Sequence, residues 1–350
     1  MKKVLVIQNK FIGDVLYSTV YFEFIKQKYP EAEIHYVISK SAEAVIYNHP
    51  YIDKVIVFPG SEDQNTLKLI WLIFELRKTS YDAVIDVYSK LNSLFVSIFI
   101  KAKIKVAYRK WYSRLFYTKT FKRLKNSEYH SSLAIENRLK LLSLLDIPYK
   151  TNILPKIYLT DEEIHAAEAD LVQSGIDVKR SIIMLCIFGS TPAKSYPKAY
   201  MVELIESITN AGDYQILMNY ALSQKKDMEE LYSMCSLKTQ GLIAKNVYGK
   251  SLRQLMSFSY FCRAVIGNDG GPINIAKALD IPSFAIYSPE LNKVNWYGQI
   301  EKDKHVAVHL SDYLPQERID EKPTIESKYH LFKPAMFYAE LFNFLKGLAS

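Results

Sequence analysis

Three short loops hold the residues able to do chemistry. The first, Gln8-Asn9-Lys10-Phe11-Ile12-Gly13-Asp14, stands between an apolar run at 4–7 and a helical pattern from 15. It has no GxxxxGK followed by Ser or Thr, so it is not a Walker loop, and one glycine does not make a dinucleotide fingerprint. Asp14 reads in two ways. It could cap the helix by accepting backbone N–H bonds, or it could present a carboxylate ready to accept a proton. A helix N-terminus favours the anion, so the two roles are compatible. The second loop, Gly189-Ser190-Thr191-Pro192-Ala193-Lys194-Ser195-Tyr196-Pro197, follows an apolar run at 182–188. Small residues let backbone N–H groups approach an anion. Ser190 and Thr191 add hydroxyls and Lys194 a positive charge, a set suited to phosphate. The bland alternative is a surface turn with a solvated lysine. The third loop, Gly267-Asn268-Asp269-Gly270-Gly271-Pro272, opens a helical pattern from 273. Proline just inside a helix start and bare N–H groups before it make an anion site. The alternative is a well-made helix start with Asp269 as a local cap. Asp269 would repel a phosphate unless it faces sugar hydroxyls, and that favours a nucleotide-sugar over a bare nucleotide.

Elements must hold these loops in place. Apolar runs at 4–7, 34–38, 55–58, 83–87 and 104–108 alternate with helical patterns at 15–28, 42–48 and 67–78, then a helix at 133–145. The pattern restarts with strands at 182–188, 215–218, 242–244, 264–266 and 283–286 and helices at 199–210, 223–234, 252–258 and 273–279. Alternation of this kind predicts parallel sheets covered on both faces. Two such units predict an α/β protein of two Rossmann-like doubly wound domains facing a central cleft, with ligands beyond the carboxyl ends of the strands. The join is expected near 149–155, and an apolar terminal helix at 334–345.

Composition narrows the classes. The chain has 350 residues, 45 Lys+Arg against 37 Asp+Glu, and 49% hydrophobic residues, which excludes a disordered chain. Its length predicts two domains. Cys186, Cys235 and Cys262 form no CxxC pair, so neither a disulfide framework nor a structural zinc site is expected. The apolar start before Gln8 is too short for a signal peptide. The longest lipid-like runs, 69–74 and 94–100, fall far short of the ~20 residues that span a bilayer. A cytoplasmic protein with at most peripheral membrane contact is expected. The net charge of +8 is local: residues 101–125 carry ten Lys/Arg and no acid, leaving 35 basic and 37 acidic residues elsewhere.

Together the three loops resemble glycosyltransferase family nine, the lipopolysaccharide heptosyltransferase family. The family opens on a strand, a short loop and Gly-Asp before a helix, matched by KVLVIQNKFIGDVLYST. Its small-residue loop with Lys and an aromatic-Pro pair is matched by GSTPAKSYP. Its donor signature of Asn-Asp, Ser or Thr, Gly-Pro, any residue and His is matched by NDGGPIN. The resemblance implies the GT-B fold, with an acceptor domain at 1–152, a donor domain at 153–333, and a terminal helix, 334–347, returning to the first. It implies inverting, metal-independent transfer of a sugar from an ADP-heptose-like donor to an anionic glycolipid, with the nucleotide-sugar as co-substrate and no cofactor. By position, Asp14 is the implied base and Lys194 the implied stabiliser of the leaving group. Ser190, Thr191, Asn268, Asp269, Gly270, Gly271 and Asn274 are the implied donor contacts. Gly270 stands where the family has Ser or Thr, and Asn274 where it has His; asparagine keeps hydrogen bonding but cannot titrate near neutrality. Asn219-Tyr220 replaces a Gly-Gly pair.

Aromatics interleave with the charges of 101–125, which reads as a solvated loop, a nucleic-acid surface or a site for anionic lipid headgroups. The third is preferred, because the segment falls in the implied acceptor domain and lipopolysaccharide is anionic. Lys10, Arg109, Lys110, Arg114 and Arg123 are the acceptor candidates, the inner-membrane surface is the expected partner, and nucleic acid is not. Competing functions are a non-catalytic binding protein and a nucleotide-sugar epimerase on the same scaffold.

Overall fold

The computed structural model describes residues 1–59, 66–299, 302 and 304–349. It divides into two compact units, Met1–Tyr158 with Val294–Ile300, and Leu159–Lys293 with Glu301–Ser350.

The first unit is built on β1 (Lys3–Gln8), β2 (Glu33–Ile38), β3 (Lys54–Val57), β4 (Tyr81–Asp86), β5 (Ala102–Tyr108) and β6 (Lys119–Phe121). They form one parallel sheet in the order β3-β2-β1-β4-β5-β6. This is the doubly wound order, and it reverses between β1 and β4. From Val4 to Gln8 every residue of β1 is buried, as a central strand covered on both faces requires. The helix expected at 15–28 is two, Ile12–Ser18 and Val20–Lys28. At the break, Ser18 and Thr19 hydroxyls donate to the carbonyls of Asp14 and Leu16, each at 2.8 Å. Such local side-chain bonds bend helices. On one face of the sheet, Leu5, Ile7, Val37 and Val84 pack with Leu72, Leu76, Val96 and Ile100.

Asp86 ends β4 fully buried. It accepts from the Ser89 N–H at 2.8 Å and the Tyr117 hydroxyl at 2.5 Å. The Ser89 hydroxyl in turn accepts from the Tyr108 N–H at 2.9 Å, so Asp86 anchors the start and end of the basic turn after β5. Burial pushes its carboxyl from 3.8 up to about 6, against hydrogen bonds that lower it. Between those values the native state keeps a proton that the unfolded chain has lost. Stability therefore falls as pH rises through this window, by about 3 kcal/mol at most. Asp86→Asn is expected to abolish that slope. Urea unfolding of both proteins at about pH 4 and about pH 7 checks it. Glu33 and Asp82, held low by hydrogen bonds from Lys3 and Lys103, titrate in both proteins and cancel.

The second unit carries β7 (Ile182–Cys186), β8 (Gln215–Asn219), β9 (Ala264–Asn268), β10 (Ser283–Ile286) and β11 (His305–Val308) in the parallel order β11-β10-β9-β7-β8. Here the order reverses between β7 and β9. The strand expected at 242–244 is only a bridge, Ile216 to Ile243. β6 and β11 went unread in the sequence; each is too short to show a period.

One expectation about the chain's path is corrected. The terminal helix, Tyr338–Ala349, belongs to the second unit rather than returning to the first. Leu341, Phe344, Leu345 and Leu348 complete the core around Phe284 and Ile286, and the Arg263 Nε donates to the Leu348 carbonyl at 2.7 Å. The return is made instead by 294–300. Trp296 sets its ring edge-on to Tyr17 at 5.1 Å, and Gln299 N–H donates to the His130 carbonyl at 2.8 Å.

Candidate functional site

All three loops identified in the sequence leave the carboxyl ends of strands beside the two reversal points. In open α/β sheets ligands sit there, in the crevice beyond the strand ends.

In the first unit, the loop after β1 delivers Asp14 on the third residue of the Ile12–Ser18 helix. Phe11, not Asp14, is the N-cap, and no side chain caps this helix. The capping alternative is thereby set aside. Asp14 is buried and pairs instead with two cations. Lys10 Nζ lies 3.1 Å from Oδ2, and Arg138 lies 3.2 Å from Oδ1. Arg138, 4% exposed, also donates to the Asp14 carbonyl at 3.0 Å, the Ser18 hydroxyl at 3.0 Å and the Ala134 carbonyl at 2.7 Å. It fixes both the side chain and the backbone of the helix that carries Asp14.

The sequence reading passed over Arg138. One signal was present: Arg138 shares the buried face of the Leu133–Lys140 helix with Ile135 and Leu139, where a charge needs a partner.

The five acceptor candidates separate. Lys10 joins Asp14. Arg123 stacks on Tyr108, its guanidinium carbon 3.6 Å from the ring centroid. Burial raises the Tyr108 hydroxyl, the charges of Arg123 and Arg138 oppose this, and that of Asp14 adds to it. Arg123 therefore shares the electrostatic neighbourhood of Asp14. Arg109, Lys110 and Arg114 stand exposed on the turn after β5.

In the second unit, the loop after β7 turns tightly through Pro192–Lys194. Gly189 is required there, because a Cβ would meet the Lys194 carbonyl oxygen at 2.3 Å. Its N–H donates to the Ser195 hydroxyl at 3.0 Å. Ser190, Thr191 and Lys194 project to solvent. Asn268, expected as a donor contact, ties the two loops together. Its Oδ1 accepts from the Tyr196 N–H at 2.6 Å and its Nδ2 donates to the Cys186 carbonyl at 2.9 Å, so both ends of the buried amide are engaged.

Asp269 follows β9. Its Oδ1 is buried with no hydrogen-bond partner among the described residues. Burial raises its carboxyl, opposed by the charge of Lys277, the neighbouring Tyr287 hydroxyl and the charge of Lys194. Gly270 and Gly271 start the Gly271–Ala278 helix with no side-chain cap. Neither is demanded by the chain: Gly270 has φ 168°, ordinary extended backbone. A Cβ there meets nothing nearer than Pro272 at 3.9 Å, and one at Gly271 meets nothing within 4 Å. The helix start is bare and open, as an anion needs. Asn274 Nδ2 donates to the Gly270 carbonyl at 3.2 Å, while its Oδ1 is buried with no partner among the described residues. Tyr220, in place of a glycine, stacks on Tyr248 at 5.2 Å. Among the described residues no three of His, Cys, Asp and Glu converge on a position able to hold a metal.

A family model described as glycosyltransferase family 9 (heptosyltransferase) matches residues 70–324, a span with the second and third loops but not the first. The chain is 24% identical over 296 residues to lipopolysaccharide heptosyltransferase 1 of Campylobacter coli, covering 81% of this chain and 83% of that one. The solved glycosyl transferase family 9 structure from Veillonella parvula aligns with a TM-score of 0.81 at 19% identity, covering 99% of this chain and 97% of that one. E. coli heptosyltransferase WaaC, solved with ADP-2-deoxy-2-fluoro heptose, aligns at 0.65 and 17% identity over 87% and 92%. These likenesses identify the two-domain GT-B fold.

Proposed function

The chain belongs to glycosyltransferase family 9, the heptosyltransferases, and from that premise we propose that it transfers a sugar from an ADP-heptose-like donor to an anionic glycolipid of the lipopolysaccharide-core type, with inversion and without a metal. The observation that carries the reading is the pairing of chemistries at the two reversal points. A buried, cation-flanked carboxylate stands at the first. A lysine and a bare helix start stand at the second.

In the proposed reaction Asp14 takes the proton of the acceptor hydroxyl. The freed oxygen forms a bond to the anomeric carbon as the bond from that carbon to the diphosphate oxygen breaks. Negative charge grows on the departing diphosphate. Lys194, the Ser190 and Thr191 hydroxyls, and the N–H groups at Gly270 and Gly271 are the groups assigned to stabilise it. The unfilled Oδ1 of Asp269 suits a sugar hydroxyl, which donates where a phosphate could not. Asn268 positions the donor loops rather than touching the donor. On the acceptor side, Lys10 pairs with the base, Arg123 stacks on Tyr108, and Arg109, Lys110 and Arg114 form an outer basic turn. No helix among the described residues is long and apolar enough to cross a membrane. The proposed workplace is the cytoplasmic face of the inner membrane, held peripherally.

Titration calorimetry with ADP-, GDP- and UDP-sugars, followed by transfer assays on a lipopolysaccharide-core acceptor, tests the reading. Binding of an ADP-sugar and acceptor-dependent release of ADP are expected. No binding to any donor would favour a non-catalytic binding protein, and conversion of donor without acceptor an epimerase.

A further inference from the structure

The helices Thr66–Arg77 and Leu91–Phe99 lie side by side over one face of the first sheet. Their inward residues, among them Leu72, Leu76 and Val96, are core. Their outward residues are apolar too: Trp71, Phe74, Phe95 and Phe99 are all exposed. A helix facing water carries polar residues at such positions. The neighbouring turn after β5 adds Trp111 and Leu115, each 91% exposed. That turn is fastened to the second helix. Tyr112 and Tyr117 pack with Leu94 and Ile98, and Lys105 donates to the Ser97 carbonyl at 2.6 Å. The exposed charges on the turn, Arg109, Lys110 and Arg114, are all positive. Glu75 is the one acid on the two helices, and Lys78 neutralises it.

We infer that this outer layer docks on an anionic lipid bilayer, setting Trp71, Phe74, Phe95 and Trp111 at the headgroup boundary and Arg109, Lys110 and Arg114 on lipid phosphates. The inference deepens the proposed function, on which it rests for the membrane-borne acceptor. Three observations commit the surface to this occupant. Helices of 12 and 9 residues cannot span a bilayer but can lie in its interface. Tryptophan is favoured at the headgroup level, where its ring is half wet. A second copy seated here would offer the basic turn no acid beyond a Glu75 already paired with Lys78, whereas anionic headgroups complement it.

The test is co-sedimentation of the full chain with vesicles of phosphatidylcholine, alone or mixed with phosphatidylglycerol. The wild type is expected to bind the mixed vesicles and to lose binding as salt rises. The triple variant Trp71→Ser, Phe74→Ser, Phe95→Ser is expected to bind at least about tenfold more weakly. Its circular dichroism and thermal midpoint should be unchanged, because exposed substitutions rarely move stability. The variant Arg109→Gln, Lys110→Gln, Arg114→Gln should lose the preference for phosphatidylglycerol. Absence of wild-type binding to either vesicle, or triple-variant binding equal to wild type, would overturn the inference. So would a wild-type dimer that the triple variant converts to a monomer without vesicle binding. Donor calorimetry on the same samples keeps the readings apart: vesicle binding without nucleotide-sugar binding sustains this surface and sinks the proposed function.

Discussion

Asp14→Asn is expected to lower transfer turnover roughly 10²- to 10⁴-fold, the range for loss of a positioned general base, while donor affinity stays as it was. The variant keeps the shape of the side chain and the first turn of the Ile12–Ser18 helix. It removes only the charge. That removal has a second effect, because Arg138 is 4% exposed and loses its carboxylate partner. Leaving a buried charge unpaired typically costs about 3–5 kcal/mol. Activity could then fall merely because the helix shifts. Arg138→Met on the Asp14→Asn background separates the two causes. It discards the orphaned cation, so much of the lost stability should return, yet turnover should remain low. Thermal unfolding and steady-state kinetics of the single and double variants measure both quantities. Restored turnover in the double variant would mean that Asp14 serves only to neutralise Arg138.

Lys194→Ala is expected to lower kcat about 10²- to 10³-fold, with a smaller effect on the KM for donor. The asymmetry follows from when the charge is needed. Diphosphate gains negative charge as the glycosidic bond breaks, so a group aimed at it helps the transition state more than bound donor. Lys194 is exposed and makes no salt bridge among the described residues, so the fold should not notice its loss. Lys194→Arg should restore part of kcat, because the charge returns on a bulkier, planar head. A rise in donor KM at unchanged kcat would reduce Lys194 to a binding contact.

The placement of both residues at strand ends was legible before the fold was known, for a physical reason. Strands of a doubly wound sheet are nearly continuous apolar runs, and the reactive loops begin where those runs end. Residues at 7–14, 186–197 and 266–272 announce themselves by local contrast. Arg138 does not, because its partner lies 124 residues away and only folding brings them together. The structural part of Asn268 was hidden for a related reason. Its place in the loop suggested a ligand contact, while its amide was needed to join loops 72 residues apart. The terminal helix shows the same limit. Its apolar stripe demanded a partner but could not say which core would supply one.

The excursion of residues 294–300 bears on how this protein could be taken apart. The first unit is not a contiguous piece of chain, since Trp296 is needed against Tyr17 on the very helix that presents Asp14. A fragment ending at the linker near 158 would leave that aromatic contact vacant. It would also strip the backbone at 130–132 of Gln299 and of Gly298, whose Cβ would lie 2.6 Å from Ser131. Chimeras that exchange donor specificity between relatives therefore need three seams, near 158, 293 and 300, with the short middle tract travelling with the recipient. A graft cut at one seam would carry a foreign segment against the base-bearing helix, confounding acceptor chemistry with the donor swap it was built to isolate.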